Sequence, residues 1–466
     1  MQKPDSSKFV HVTNQRYRQH YHIMTPGGWL NDPNGLCYFK GYYHVFYQFH
    51  PYSSQWGPMH WGHVRSHDLV HWEQLPIALI PGDPEDSGGC FSGSAIIKGD
   101  RLYLIYTGHH YYGDGDPDHF WENQNLAYSD DGVHFTKYQH NPIIEAPADN
   151  TQHFRDPKVW EHDGAYYLVL GSQHQGDKLG RILLYRSSDL LNWKPCGPII
   201  QSQGKSTEGW MWECPDFFSL NGQDVLVYSP MGIQPQGKRF LNLSQVCYRI
   251  GHLDYRTHHF IGTPQQELDH GHNFYATQSM LTPDGRRIQF GWLSPFNEKI
   301  PEQADGWAGS LTLPRELTLV NNILHVRPAQ ELTALRNHTD INGNINVNGQ
   351  QDLTVTNPQH TELIFNFQES PHDFTWLLNA GQEILIKLTY QDNQLTLTRQ
   401  GKDPYRYATV KGLQDLHIFI DTSSVEIFAN DGVAVFTERY YANEPVKLAV
   451  AATKECQPAV QAYQLK

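Results

Sequence analysis

Five times in its first three hundred residues the chain repeats one unit, a turn containing glycine followed by an apolar strand. The copies are KGYYHVFYQ (40–48), KGDRLYLIYTG (98–108), HDGAYYLVLGS (162–172), LNGQDVLVYSP (220–230) and PDGRRIQFGWL (283–293). Their glycines, Gly41, Gly99, Gly164, Gly222 and Gly285, are separated by 58, 65, 58 and 63 residues. A second marker follows three of the copies, in SHDLVHW (66–72), SDDGVHF (129–135) and SSDLLNW (187–193), each with Asp four residues before an aromatic. A period of about 60 residues with roughly four short strands per copy is what a β-propeller blade requires. Five copies predict five blades. An ordinary β-rich domain with evenly spaced turns would share the spacing, but it would not bring equivalent positions together.

Chemistry-bearing residues recur at one place in this unit. Asp32 lies nine residues before Gly41, Ser92 seven before Gly99, Asp156 eight before Gly164, Glu213 nine before Gly222 and Tyr275 ten before Gly285. Each falls near the start of the strand preceding the hairpin. The first strand of a propeller blade lines the central axis, so these five positions are expected to converge on one pocket. Three of them are acids with a proline close behind: Asp32-Pro33, Asp156-Pro157 and Glu213-Cys214-Pro215. Any one of these strings reads as turn punctuation, and WLNDPNG (29–35) in particular is a strong turn former. Three at equivalent places read as a constellation. Arg155 beside Asp156 would keep that carboxyl ionised, whereas the aromatic run GWMWECPDFF around Glu213 would desolvate it and suit a general acid. Two carboxyls in unlike environments are what glycosidic bond cleavage needs.

The remainder of the chain behaves differently. After about residue 337 the repeat gives way to alternating strands such as ELIFNF, EILIKLTY, QLTLTR and VKLAVAAT, the pattern of a sandwich. PAQELTALR (328–336) reads as a linking helix. The expected fold class is therefore all-β: a five-bladed β-propeller over 1–327, a linker helix over 328–336 and a β-sandwich over 337–466. Aromatics make up 13% of the 466 residues and charged residues 18%, which describes a packed protein rather than a disordered one. The net charge of −14, with no basic stretch, argues against a nucleic-acid partner. No apolar run reaches the ~20 residues of a membrane span. The polar start MQKPDSSKFV lacks the apolar core of a secretion signal, and six scattered cysteines without a CxxC pair read as reduced thiols. Both point to a cytoplasmic protein.

WLNDPNG, FRDP (154–157) and WECP (212–215), in this order, resemble the three signature segments of glycoside hydrolase family 32, the family of invertases, sucrose-6-phosphate hydrolases and fructanases. The likeness continues through FSGS (91–94), DHGHNFYATQ (269–278), GWAGSLTLPREL (306–317) and HIFIDTSSVEIFANDG (417–432), and HFRDPKVW resembles the bacterial sucrose-6-phosphate hydrolase branch. The resemblance implies a propeller that carries the site, a following sandwich, and a retaining β-fructofuranosidase without cofactor or metal. Sucrose, sucrose 6-phosphate and, as an alternative, short fructans or fructosyl transfer are the implied chemistries. A carbohydrate-binding propeller without catalysis is the alternative from another class. By matching motif, Asp32 is the implied nucleophile, Glu213 the acid/base and Asp156 the transition-state stabiliser. The two working carboxyls would stand roughly 5–5.5 Å apart. Asn31, Gln48, Trp56, Phe91, Ser92, Arg155, Tyr275 and Trp292 fit positions of sugar contact or site lining. Where many bacterial relatives have Asp before Phe-Tyr-Ala this chain has Asn273, which leaves Asp269 as the nearer acidic candidate for gripping the sugar.

Three features invite over-reading. His63, His67 and His71 are spaced by four, but the segment alternates like a strand and would not gather them on a metal. GDGDPD (113–118) is read as a mobile loop near the pocket mouth rather than a calcium loop. Glu426 alternates with Val425 and Ile427 and is expected on the opposite face of its strand, as a solvated or structural acid.

Overall fold

The computed structural model describes residues 4–293 and 298–466. The first part forms five sheets, each built on an antiparallel meander of four strands. Their inner strands are Gly28–Phe39, Gly89–Lys98, Asn150–His162, Met211–Leu220 and Tyr275–Leu281. Each inner strand packs against the next, and the fifth returns to the first, so the five blades (I–V in chain order) close a ring. Closure is reinforced where Trp307–Ala308, past the last inner strand, pairs in parallel with Gly28 and Trp29 of blade I. The five repeat glycines sit in the hairpins that leave the inner strands, all with positive φ between 60° and 86°. That backbone, which L side chains rarely adopt, is why glycine recurs there.

Two six-stranded sheets follow and pack face to face as a sandwich. Their inner faces supply Phe365, Trp376, Leu388, Ile418, Ile427 and Val450 to one core. The expected linker helix is a 3-10 segment, Gln330–Leu335, which tucks Leu332 and Leu335 inward. Pro328 still belongs to the last propeller strand, Ile323–Pro328, opposite Arg315.

The sandwich does not hang from this linker but is seated on the propeller. Phe419, Phe428, Val435 and Leu465 join a hydrophobic core shared by blades I, IV and V of the propeller. Buried charge crosses the same seam. Arg315 is fully buried and contacts Glu426 at 2.6 Å and Asp269 at 3.0 Å, while His22 lies between Glu426 and Asp421. Alternation does send Glu426 away from Val425 and Ile427, but that face meets the propeller instead of water. It is a buried interdomain acid, held below its ordinary pKa because Arg315 and His22 outweigh its burial.

Candidate active site

Every inner strand is interrupted at the same place. The pairing register slips between Leu30 and Pro33, Cys90 and Gly93, Arg155 and Lys158, Glu213 and Asp216, and Tyr275 and Gln278. Each slip is a β-bulge, which unpairs the backbone locally and re-aims a side chain. Asp156, Cys214 and Ala276 take positive φ at three of these bulges, a strained choice for residues with a Cβ. Proline fits at Pro33, Pro157 and Pro215 because a bulge asks for no ladder N–H there. WLNDPNG is thus not a hairpin turn. Its turn-forming residues bend the inner strand of blade I, with a second slip between Asn34 and Cys37.

The bulges bring Asp32, Ser92, Asp156, Glu213 and Tyr275 around one cavity of about 330 Å³. Asn31, Gln48, Trp56, Phe91 and Arg155 line it as well, as do His109, Tyr111, Phe120 and Glu122. Asp32 is the most tightly framed. Ser92 Oγ donates to its Oδ2 at 2.6 Å and Asn31 Nδ2 to its Oδ1 at 3.0 Å, while Trp29 Nε1 holds Asn31 at 2.7 Å. Burial raises the Asp32 pKa, the Ser92 and Asn31 bonds oppose the rise, and the nearby Glu213 adds to it. Glu213 is clamped from two sides. Arg155 reaches Oε1 through Nε at 3.0 Å and Nη2 at 2.8 Å, and the Tyr275 hydroxyl donates to Oε2. Asp156 Oδ2 accepts the Cys214 amide at 2.8 Å, and the Cys214 thiol lies 3.5 Å from that oxygen and 3.6 Å from Asp32 Oδ2.

Two electrostatic expectations change. Arg155 was expected to keep Asp156 ionised, yet the carboxyl is pushed above its ordinary value. Burial is the main cause; Arg155 opposes it, and Glu213 and Asp32 add to it. Arg155 is spent elsewhere, on Glu213 and on Glu122. The aromatic neighbour expected beside Glu213 in sequence also turns away: strand alternation sends Trp212 outward onto Tyr228 (ring centroids 4.4 Å apart) while Glu213 faces the axis.

Glu122 lines the same cavity and was missed by sequence reasoning. It is fully buried in blade II, accepts from the Phe154 amide at 2.8 Å and from Arg155 Nη1 at 3.2 Å, and contacts His109. Burial pushes its carboxyl up, but Arg155, His109 and Phe154 outweigh this and hold it at about 2. An acid at the start of an otherwise amide-rich strand, FWENQNLAYS, was the available signal.

Asp269 and Trp292 lie outside the cavity lining. Asp269 is a correction: its carboxylate bonds Arg315 and Thr437 in the seam beneath the sandwich, so it supports the interface instead of a sugar. Asn273 sits in the same seam, bonded to Glu298 at 2.7 Å and to Arg399 at 2.9 Å. Trp292 is fully buried behind Trp29, with ring centroids 5.8 Å apart, and backs the site at one remove. Of the three histidines, His63 stacks on Phe46 and bonds His44, His67 stacks on Tyr42, and His71 bonds Asp68. Among the described residues one group, His20, His360 and Asp421, brings metal-type donors together, but Asp421 already accepts from His22 and from three backbone amides. Pro117 and Asp118 place the acidic loop at the cavity mouth.

The family models for the N-terminal domain and the C-terminal region of glycosyl hydrolases family 32 match residues 22–328 and 331–463. The chain belongs to glycoside hydrolase family 32. A sucrose-6-phosphate hydrolase of Escherichia coli is 41% identical over 436 residues, spanning 91% of this chain and 89% of that protein. A raffinose invertase of Escherichia coli is 40% identical over 429 residues, spanning 90% and 89%. Among solved structures, a Bombyx mori β-fructofuranosidase variant in complex with sucrose superposes with a TM-score of 0.88 at 38% identity, covering 99% of this chain and 96% of that one. A sucrose-6-phosphate hydrolase from Lactobacillus gasseri gives 0.88 at 29% identity, with 99% and 95% covered.

The buried carboxyls leave a signature in stability. A carboxyl whose folded pKa is raised holds its proton to higher pH than in the unfolded chain, so ionising it costs stability as pH rises above its unfolded value, 3.8 for Asp156. Asp156→Asn is therefore expected to raise Tm by a few degrees at pH 8, with the gain shrinking toward pH 4. Calorimetry of both proteins across this range checks it. No gain at pH 8 would mean that Asp156 is not held against a desolvation penalty.

Proposed function

We propose that the protein is a retaining β-fructofuranosidase hydrolysing terminal β-D-fructofuranosides of the sucrose type. The observation that carries this reading is the placement of Asp32 and Glu213, on bulges of different blades, around a cavity of sugar size. In the first half-reaction the Asp32 carboxylate attacks C2 of the fructosyl unit while the C2–O bond to the leaving sugar breaks. Glu213 supplies the proton that this oxygen takes up. In the second, water attacks C2, Glu213 takes its proton, and the Asp32 ester is released as carboxylate. Asp156 is suited to grip the ring hydroxyls, because its neutral form donates and its ionised form accepts. Arg155 and Tyr275 fix the rotation of the Glu213 carboxyl, and Trp56 and Phe91 offer aromatic faces to sugar. We place the protein in the cytoplasm, on the strength of six cysteines that are all free.

The test is stereochemical. With methanol added during sucrose hydrolysis, the fructosyl unit should be trapped as methyl β-D-fructofuranoside, identified by NMR before mutarotation of other products interferes. The α anomer would exclude double displacement through Asp32.

A further inference from the structure

The cavity is poor in positive charge. Its lining carries the carboxyls of Asp32, Asp118, Glu122, Asp156 and Glu213, and Arg155 is the one Lys or Arg among the described lining residues. Arg155 is also occupied: Nε and Nη2 are on Glu213, and Nη1 is shared between Glu122 and His153. A phosphate group would have to compete with two carboxylates for it. Lys178, whose charge is felt at His153, donates to Gln175 at 3.0 Å and does not line the cavity.

The position of a phosphate can be argued from the reaction. Fructose must occupy the end of the cavity where Asp32 and Asp156 stand, so the leaving glucosyl extends from Glu213 toward the opening. The segment bordering Arg155 and Glu213 on that side is 117–122: Glu122 bonds Arg155, Phe120 packs on His153 (ring centroids 5.3 Å apart), and the Asp118 carbonyl accepts from Gln152. The lining is aromatic and acidic where it meets solvent: Trp56 is 41% and Tyr111 39% exposed, and the exposed Asp118 lines the same cavity. Such a rim stacks neutral sugar faces and repels a dianion.

We infer that this enzyme selects an uncharged leaving sugar and discriminates against phosphate on the glucosyl C6, with Asp118 at the cavity mouth as a repulsive specificity element. This rests on the β-fructofuranosidase reading and narrows its substrate class. Specificity here comes from a clash against the wrong substrate as much as from contact with the right one.

The experiment compares kcat/KM of the full chain on sucrose, sucrose 6-phosphate and raffinose. Raffinose carries a neutral galactosyl on the same C6 oxygen, so it separates charge from size. At low ionic strength, sucrose and raffinose should both exceed sucrose 6-phosphate by about tenfold or more, the size of effect that one like-charge contact supplies. The gap should narrow with added salt, which screens the exposed rim, and narrow further in Asp118→Lys. Sucrose 6-phosphate cleaved as well as sucrose would overturn the inference while leaving the activity standing. Raffinose rejected as strongly as the phosphosugar would overturn it in favour of size. Cleavage of none of the three would instead remove the reading on which it rests.

Discussion

Asp32→Asn is expected to lower kcat on sucrose by on the order of 10⁴-fold, the scale of loss when a nucleophile in a cooperating set is removed. The substitution keeps the shape of the carboxyl and can still meet Ser92 and Asn31, so folding should be unaffected and Tm at or above that of the parent. The loss should appear in kcat and kcat/KM together, because the carboxylate acts on the transition state more than on bound sugar. The parent enzyme carries a linked signature. Burial raises the Asp32 pKa, so the nucleophile takes up its proton, and rate falls, at a higher pH than an exposed Asp of about 3.9 would give. The acid limb of the kcat/KM profile should therefore lie at higher pH than an exposed Asp would place it. An Asp32→Asn protein with near-parent turnover would dismiss the assignment outright.

Glu213→Gln is expected to cost 10²- to 10⁴-fold in kcat on sucrose, the range for a lost general acid or base. The dependence on leaving group is the sharper test. Fructosyl fluoride departs without needing a proton, so its first step should be nearly spared in Glu213→Gln, and external azide, which needs no general base, should accelerate release of the fructosyl enzyme. A uniform loss across leaving groups and nucleophiles would make Glu213 a positioning residue. Glutamine can still accept from Tyr275, but Arg155 would lose a charged partner, so some repositioning toward Glu122 is expected alongside the chemical loss.

What could be read from residues alone, and what could not, divides along the range of the forces involved. The blades were legible because each hairpin is local: a glycine forced to positive φ, followed by an alternating apolar strand, announces itself within ten residues. Equal spacing then implied a ring, and a ring implied that Asp32, Asp156 and Glu213 meet. The same local reading left the backbone of WLNDPNG open, because Pro, Asn and Gly serve a bulge as well as a hairpin, and only the partner strand distinguishes them. Charge was the least legible property. Whether Arg155 serves Asp156, its neighbour in sequence, or Glu213, fifty-eight residues away, depends on which carboxylate the ring places opposite its guanidinium. Glu122 escaped notice because its one local signal, an acid opening an amide-rich strand, does not say that Arg155 of the next blade will be packed on it. Asp269 was assigned to the sugar because it is the acid nearest Asn273, and Glu426 was left between a solvated and a structural role, because alternation specifies which face of a strand a residue occupies but not what covers that face. Here the cover is a second domain, and Arg315 between them turns two acids that would otherwise be solvated into part of a buried seam. Periodicity and turn chemistry therefore belonged to the chain itself, whereas the pairing of charges, and with it the preference for an uncharged sugar, arose only when distant blades closed around a common axis.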